Sequence, residues 1–223
     1  MTFSIIGRDP VTGALGMAVT SSSPSVGARC IHLRSQVGAV ASQNVTDPRL
    51  GPAILDLLEQ GCSPEQALEK VLENYPTKDY RQLSIIDNTG ATAHHSGKGT
   101  LGTHRVVVGD HAVAAGNLLS SEKVPEKMVE AFSSTDGELE TKLFAGLLAG
   151  EDAGGEEGEV RSAGLAVVHD VGWRVTDIRV DEGERPIQEL GRILGVWMPQ
   201  RDDYVLRGIS PDKAPSYGVP GDE

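Results

Sequence analysis

Met1-Thr2-Phe3-Ser4-Ile5-Ile6-Gly7 opens the chain. The run reads as a short strand that begins with the first residues, and its second residue is a threonine. With the initiator Met1 removed, Thr2 carries a hydroxyl and a free α-amine on one residue. A hydroxyl needs a base to become a useful nucleophile, and an N-terminal amine can be that base. The unperturbed amine has a pKa of about 7.7–8.0, so a useful fraction is neutral near physiological pH. Covalent geometry holds the two groups together, which supplies part of the orientation catalysis requires. Met-Thr is also an ordinary way for a chain to begin, and a one-residue motif is weak by itself.

Asp9-Pro10-Val11-Thr12-Gly13 is a turn signal, and residues 14–20 read as a second strand. Antiparallel pairing about a turn near Val11 sets Thr20 opposite Thr2. The hydroxyl-rich run Thr20-Ser21-Ser22-Ser23 then lies beside the chain start. Alone, such a run is a polar loop. Its place beside Thr2 raises it above that reading.

The whole chain limits the partners. Its 223 residues suffice for one sizeable core, and no linker divides them. The net charge of −12 repels phosphate backbones, which excludes nucleic acid as an expected partner. No apolar run is long enough to span a bilayer, and no basic region followed by an apolar stretch opens the chain. Cys30 and Cys62 lack zinc or redox spacing and fit a reducing cytoplasm. The expected partner is a small-molecule substrate, with no cofactor and no metal. A homodimer or higher homo-oligomer is expected from the frequency of such assemblies.

Further along, 28–34 and 37–42 read as strands joined at Ser35-Gln36. The second runs into Gln43-Asn44-Val45-Thr46-Asp47-Pro48. Strand ends are where sites are usually built, so Asn44 is a candidate oxyanion donor and Gln43 a candidate binder. A side-chain turn before Pro48 explains the same residues equally well. Residues 52–60 have helical spacing. Ser63-Pro64-Glu65-Gln66 opens another helix with a capping box and a proline in the first turn. A hairpin through Asn88-Thr89-Gly90 follows. Two more strands, 106–108 and 112–115, follow, and the second ends in Gly116-Asn117, which can present a backbone N–H and an amide to a ligand but is weak as a lone feature. Residues 125–132 and 138–148 carry apolar faces of helical period. The acidic, Gly-rich stretch 150–160 lacks calcium-loop spacing and reads as a solvated loop. Arg161-Ser162 opens a strand at 163–169, and a strand at 173–180 and a helix at 186–194 follow. Residues 198–223 read as an irregular tail on a single domain spanning 1–197.

Hairpins therefore alternate with helix pairs. Two stacked antiparallel sheets with helices outside both use every apolar face; a single sheet with helices on one side is the alternative.

Several blocks in this order resemble the DUF1028 family of the Ntn-hydrolase-like group. They are Thr2-Phe3-Ser4-Ile5 with Arg8-Asp9-Pro10 and Thr12-Gly13; Val37 to Gln43 with Asp47-Pro48 and Gly51; Tyr80-Arg81-Gln82; Gly116-Asn117-Leu118-Leu119 with Met128 and Phe132; and Ala149 to Gly155 with Arg161-Ser162-Ala163 and Arg179-Val180-Asp181. The resemblance covers roughly residues 2–195. It implies an α+β, four-layer αββα sandwich. It also implies an N-terminal nucleophile at Thr2, with Asn44 or Asn117 at the oxyanion and Ser21, Ser22, Gln43 and Ser162 around the substrate. The lysine that proteasome active subunits place beside the nucleophile has no obvious counterpart; Arg29 and His32 are nearest by strand order. The function expected is hydrolysis of a small-molecule amide through Thr2. The alternatives are a non-catalytic ligand-binding or assembly protein, and, at lower weight, hydrolysis at a metal held by His and acidic residues.

Overall fold

In the computed structural model, which describes residues 1–219, the opening strand β1 (Thr2–Arg8) is an inner strand of a sheet. β2 (Leu15–Ser21) follows through a turn that Gly13 closes at φ 78° and that the Asp9 carboxylate holds by accepting from the Val11 and Thr12 N–H groups. The register pairs Thr2 with Ser21 and Phe3 with Thr20, one residue beyond the expected partner.

Next come a short helix α1 (Val26–Cys30), β3 (Ile31–Arg34) and β4 (Gly38–Asn44). The expected strand over 28–34 is thus half helix. Ser25 takes a left-handed conformation at φ 55°, and the Ser162 hydroxyl accepts from the Val26 N–H. Gly27 lets the helix backbone lie against Gly164. These long-range contacts turn the chain, and the local pattern does not contain them.

Helices α2 (Leu50–Glu59) and α3 (Pro64–Leu72) follow, the latter with its capping box formed between Ser63 and Gln66. Then come β5 (Arg81–Asp87), β6 (Thr92–Ser96), β7 (Arg105–Gly109), β8 (Ala112–Asn117), α4 (Val124–Ser134), α5 (Leu139–Asp152), β9 (Ser162–Val168), β10 (Arg174–Val180) and α6 (Pro186–Trp197).

The irregular tail expected from 198 onward instead contains α7 (Arg201–Ile209), with 3-10 turns on either side. Asp202 and Asp203 sit in its first turn and Arg207 in its last, in line with the helix dipole. Tyr204 stacks on Trp197 at 5.2 Å. The Pro- and charge-rich composition masked that helix. The last four residues of the expected tail, 220–223, lie outside the described residues.

The strands form two antiparallel sheets. The first has the order β10-β9-β2-β1-β8-β7 and the second β3-β4-β5-β6. Side-chain alternation sorts the core into three layers. Phe3 and Ile5 point outward and pack with Met128, Phe132, Leu143, Leu147 and Leu190 under α4, α5 and α6. Ile6, Met17, Ala41, Ile86 and Val113 fill the space between the sheets. Val40, Leu83 and Ile85 pack under Ile54, Leu55 and Leu58 of α2 and Ala67 of α3. The protein is an α+β sandwich, two antiparallel sheets flanked by helices, and the single-sheet alternative is set aside. No helix among the described residues is long and apolar enough to cross a membrane.

Candidate active site

Directly opposed residues of an antiparallel pair share a face. Thr2 pairs with Ser21 on one side and with Asn117 on the other, and Ser21 pairs with Ser162. The registers therefore line up Ser162, Ser21, Thr2 and Asn117 as one polar row across β9, β2, β1 and β8. All four are buried. Thr2 is two residues from Ser4 and four from Ile6, so the row faces the gap between the sheets.

A second polar row comes from the facing sheet. Gln43, Gln82 and Ser96 pair across β4, β5 and β6. The Ser4 hydroxyl donates to Gln43 Oε1 at 2.7 Å, and Gln43 Nε2 donates to Gln82 Oε1 at 2.8 Å. Gln82 Nε2 donates to the Gly116 carbonyl at 3.0 Å and to Ser96 at 3.2 Å. Asn117 Nδ2 donates to Gln82 Oε1 at 3.0 Å. A backbone carbonyl only accepts, so Gly116 fixes which end of the Gln82 amide is nitrogen. That in turn fixes the amides of Gln43 and Asn117. Asn117 keeps its second N–H, and its buried Oδ1 has no hydrogen-bond partner among the described residues.

The Thr2 hydroxyl lies 3.2 Å from Ser21 Oγ, and both hydroxyls are within donating distance of the Met1 carbonyl. Ser21 Oγ is 2.9 Å from Ser23 Oγ, and Ser23 accepts from the Arg29 guanidinium at 3.0 Å. Arg29 is tied down by the carbonyls of Pro24 and Ser25. A cation thus reaches Thr2 through two hydroxyls. His32 does not enter the site: its ring packs on Gly51 and bonds the Arg29 carbonyl, and burial pushes its pKa down.

The other sequence candidates divide. Asn44, left-handed at φ 69°, spends its side chain on the carbonyls of Tyr80 and Gly99 and the N–H of Leu101, so it ties the ends of β4 and β5 to a neighbouring loop. Ser162 donates to the Ser23 carbonyl and accepts from Val26, which holds the turn that carries Arg29. Asp47 anchors the loop after β4 through Arg49 and Tyr75, and these partners hold its carboxyl far below the usual range.

Sequence reasoning missed Gln82 and Glu156 as site residues. Gln82 lies in a strand that carries no site signal of its own, and only the sheet-to-sheet stacking reveals it. Glu156 lies in the stretch expected to be a solvated loop, yet it is 6% exposed. It bridges to Leu119, two residues after Asn117. Burial pushes its carboxyl up to about 7, while the N-terminal ammonium and the nearby Ser22, which does not reach hydrogen-bonding geometry with it, pull the other way. Among the described residues no three His, Cys, Asp or Glu side chains converge as a metal-ligand group. A separate cavity of about 440 Å³ lies at the far end of β1 and β2, between Thr12, Val167 and Arg201, away from Thr2.

A buried threonine at the head of an inner strand, flanked by hydroxyls and amides between two sheets, defines an α+β sandwich with its polar centre at the chain start. The chain belongs to the family of unknown function DUF1028, whose model matches residues 2–190. The crystal structure of protein SPO2555 from Silicibacter pomeroyi, of the same family, is 31% identical. It covers 88% of each chain, with a TM-score of 0.82. Anbu (ancestral beta-subunit) from Yersinia bercovieri is 12% identical, covering 89% of this chain and 95% of its own, with a TM-score of 0.43. No curated protein matches the chain.

Proposed function

We propose that the protein hydrolyses a small-molecule amide through Thr2 once Met1 has been removed. The observation that supports this reading is the register: Thr2 stands between Ser21 and Asn117 in one buried row. In the reaction Thr2 Oγ attacks the amide carbonyl while the Thr2 α-amine takes the hydroxyl proton. The spare N–H of Asn117 faces the developing oxyanion. The C–N bond then breaks, and the proton passes from the α-amine to the leaving nitrogen. Water, activated by the same amine, cleaves the ester and restores Thr2. Ser21, Ser23 and Arg29 position the amine and hydroxyl, while Gln82 and Gln43 hold Asn117 in its working orientation.

The second reading, a non-catalytic ligand-binding or assembly protein, follows if the mature chain retains Met1. With Met1 in place the Thr2 nitrogen is an amide, which cannot act as a base, and the Met1 carbonyl lies against both hydroxyls.

Intact mass of protein from its native host separates the two, measured before and after treatment with a β-lactone. Loss of Met1 together with one adduct, absent in Thr2→Ala, is the expected result. A chain that retains Met1, or a processed chain that stays unlabelled, overturns the hydrolase reading.

A further inference from the structure

Glu156 is a carboxylate buried without a hydrogen-bond partner at either oxygen among the described residues. An uncompensated buried charge is strongly destabilising, so this carboxyl holds a proton until a cation meets it. The segment that carries it is held firmly. Ser120 N–H donates to the Gly155 carbonyl at 3.0 Å, and Glu157 N–H donates to the Leu118 carbonyl at 2.9 Å. The carboxylate is thus fixed to the chain that leaves Asn117.

Met1 shows what the adjoining space accepts. Its carbonyl lies against the Thr2 and Ser21 hydroxyls. Its thioether lies over Gly158, where a Cβ would stand 3.2 Å from Met1 Cε and 3.5 Å from Sδ. Its ammonium is the positive charge whose field reaches Glu156. An acyl group on the Thr2 nitrogen is one five-membered-ring shift from the same group on Thr2 Oγ. The space that Met1 fills is therefore the space available to the acyl half of an acyl-enzyme.

Building on the hydrolase reading, we infer that the site takes amides whose acyl half is an α-amino acid with a free ammonium group, and that Glu156 receives that ammonium. Gly158 leaves room for a medium-length unbranched side chain above it. The α-amino group of the substrate supplies the cation that Glu156 lacks, and N-acylated amides leave the carboxylate unpaired.

The test uses processed protein, its Thr2 terminus verified by mass, and two probes: the β-lactone of serine with its amine free, and the same lactone N-acetylated. Thr2 Oγ bonds to the lactone carbonyl, the ring C–O bond breaks, and the ring oxygen takes the hydroxyl proton by way of the Thr2 amine. Each labelling rate is divided by that lactone's hydrolysis rate in buffer and followed from pH 6.5 to 7.5, across the raised pKa of Glu156. The free-amine probe is expected to label roughly ten- to a hundredfold faster, the scale of a hydrogen bond to a charged group. Glu156→Gln, which keeps the shape, should bring the two rates close together.

Equal or faster labelling by the acetylated lactone overturns the ammonium site while the nucleophile reading stands. A preference that survives in Glu156→Gln overturns the role of Glu156. Failure of both lactones on a verified Thr2 terminus overturns the hydrolase reading, and this inference with it. The first comparison needs no variant, so a folding defect in Glu156→Gln does not block the test.

Discussion

Gln82 receives an N–H from Asn117 at 3.0 Å across the gap between the two sheets, while its own nitrogen donates to Gly116, the residue before Asn117. Gln82 therefore holds β8 by backbone and side chain together. Gln43 is tied into the same amide.

Replacing Gln82 with Ala should strip a partner from Asn117, Gln43 and the Gly116 carbonyl at once. Stranding buried polar groups costs about 1–3 kcal/mol each, and a network loses more than one pair does. Urea denaturation should show a loss of at least about 2 kcal/mol. Labelling at Thr2 should fall with it, because Asn117 is no longer oriented. An unchanged midpoint with unchanged labelling would remove Gln82 from the site.

Arg29 should act on the Thr2 amine as a positioning residue. A nearby positive charge disfavours protonation of an amine, so removing it raises that amine's pKa. In Arg29→Ala the rising limb of the pH–labelling profile is expected to move to higher pH by about half a unit, the scale of a screened interaction across two hydroxyls. Arg29→Lys should restore part of the shift. A lower rate with the profile in place would assign Arg29 a purely structural part in the turn.

Asp47 sets an acid limit on the loop after β4. Its folded pKa is held well below the ordinary 3.8, first by the hydrogen bonds from Arg49. Its stabilising contribution is therefore complete above the unfolded value and lost as pH falls through the folded one. Asp47→Asn should lower stability at pH 7 by about 1–2 kcal/mol. The gap to the native protein should narrow as acid is added below the ordinary carboxylate range. A gap independent of pH would point to shape, not charge.

Gly51 meets the His32 ring so closely that a Cβ would stand 2.1 Å from it. Gly51→Ala should cost roughly 1–3 kcal/mol through overpacking. Adding His32→Ala should recover part of that loss, giving a measurable coupling in a double-mutant cycle. Purely additive effects would contradict the contact.

The layers could be read from the sequence because hydrophobic period carries them. Phe3 and Ile5 alternate with Ser4 and Ile6, and Ser63 with Gln66 announces its helix. Thr2, Ser21 and Asn117 could be named because all three sit at the ends of readable strands joined by short turns. Glu156 and Gln82 could not. One is buried by the close of a loop whose composition is that of an exposed one, and the other points across a gap that no local pattern describes. α1 escaped for the same reason, since its turn is set by Ser162, more than a hundred residues later. Asn44 shows the converse. A promising residue type at a strand end is occupied by the carbonyls of Tyr80 and Gly99, and the sequence does not say who its neighbours are.

β1 is hydrogen-bonded on both edges from its first residue, with Ser21 on one side and Asn117 on the other. A chain clamped in that way has no slack with which to draw its end aside. Anything fused in front of Thr2, an affinity tag included, would turn the Thr2 amine into an amide and set a carbonyl against the Thr2 and Ser21 hydroxyls, as Met1 does. Recombinant material for every experiment above should carry its handle at the far terminus. Inactivity in an N-terminally tagged preparation would report on the tag, not on Thr2.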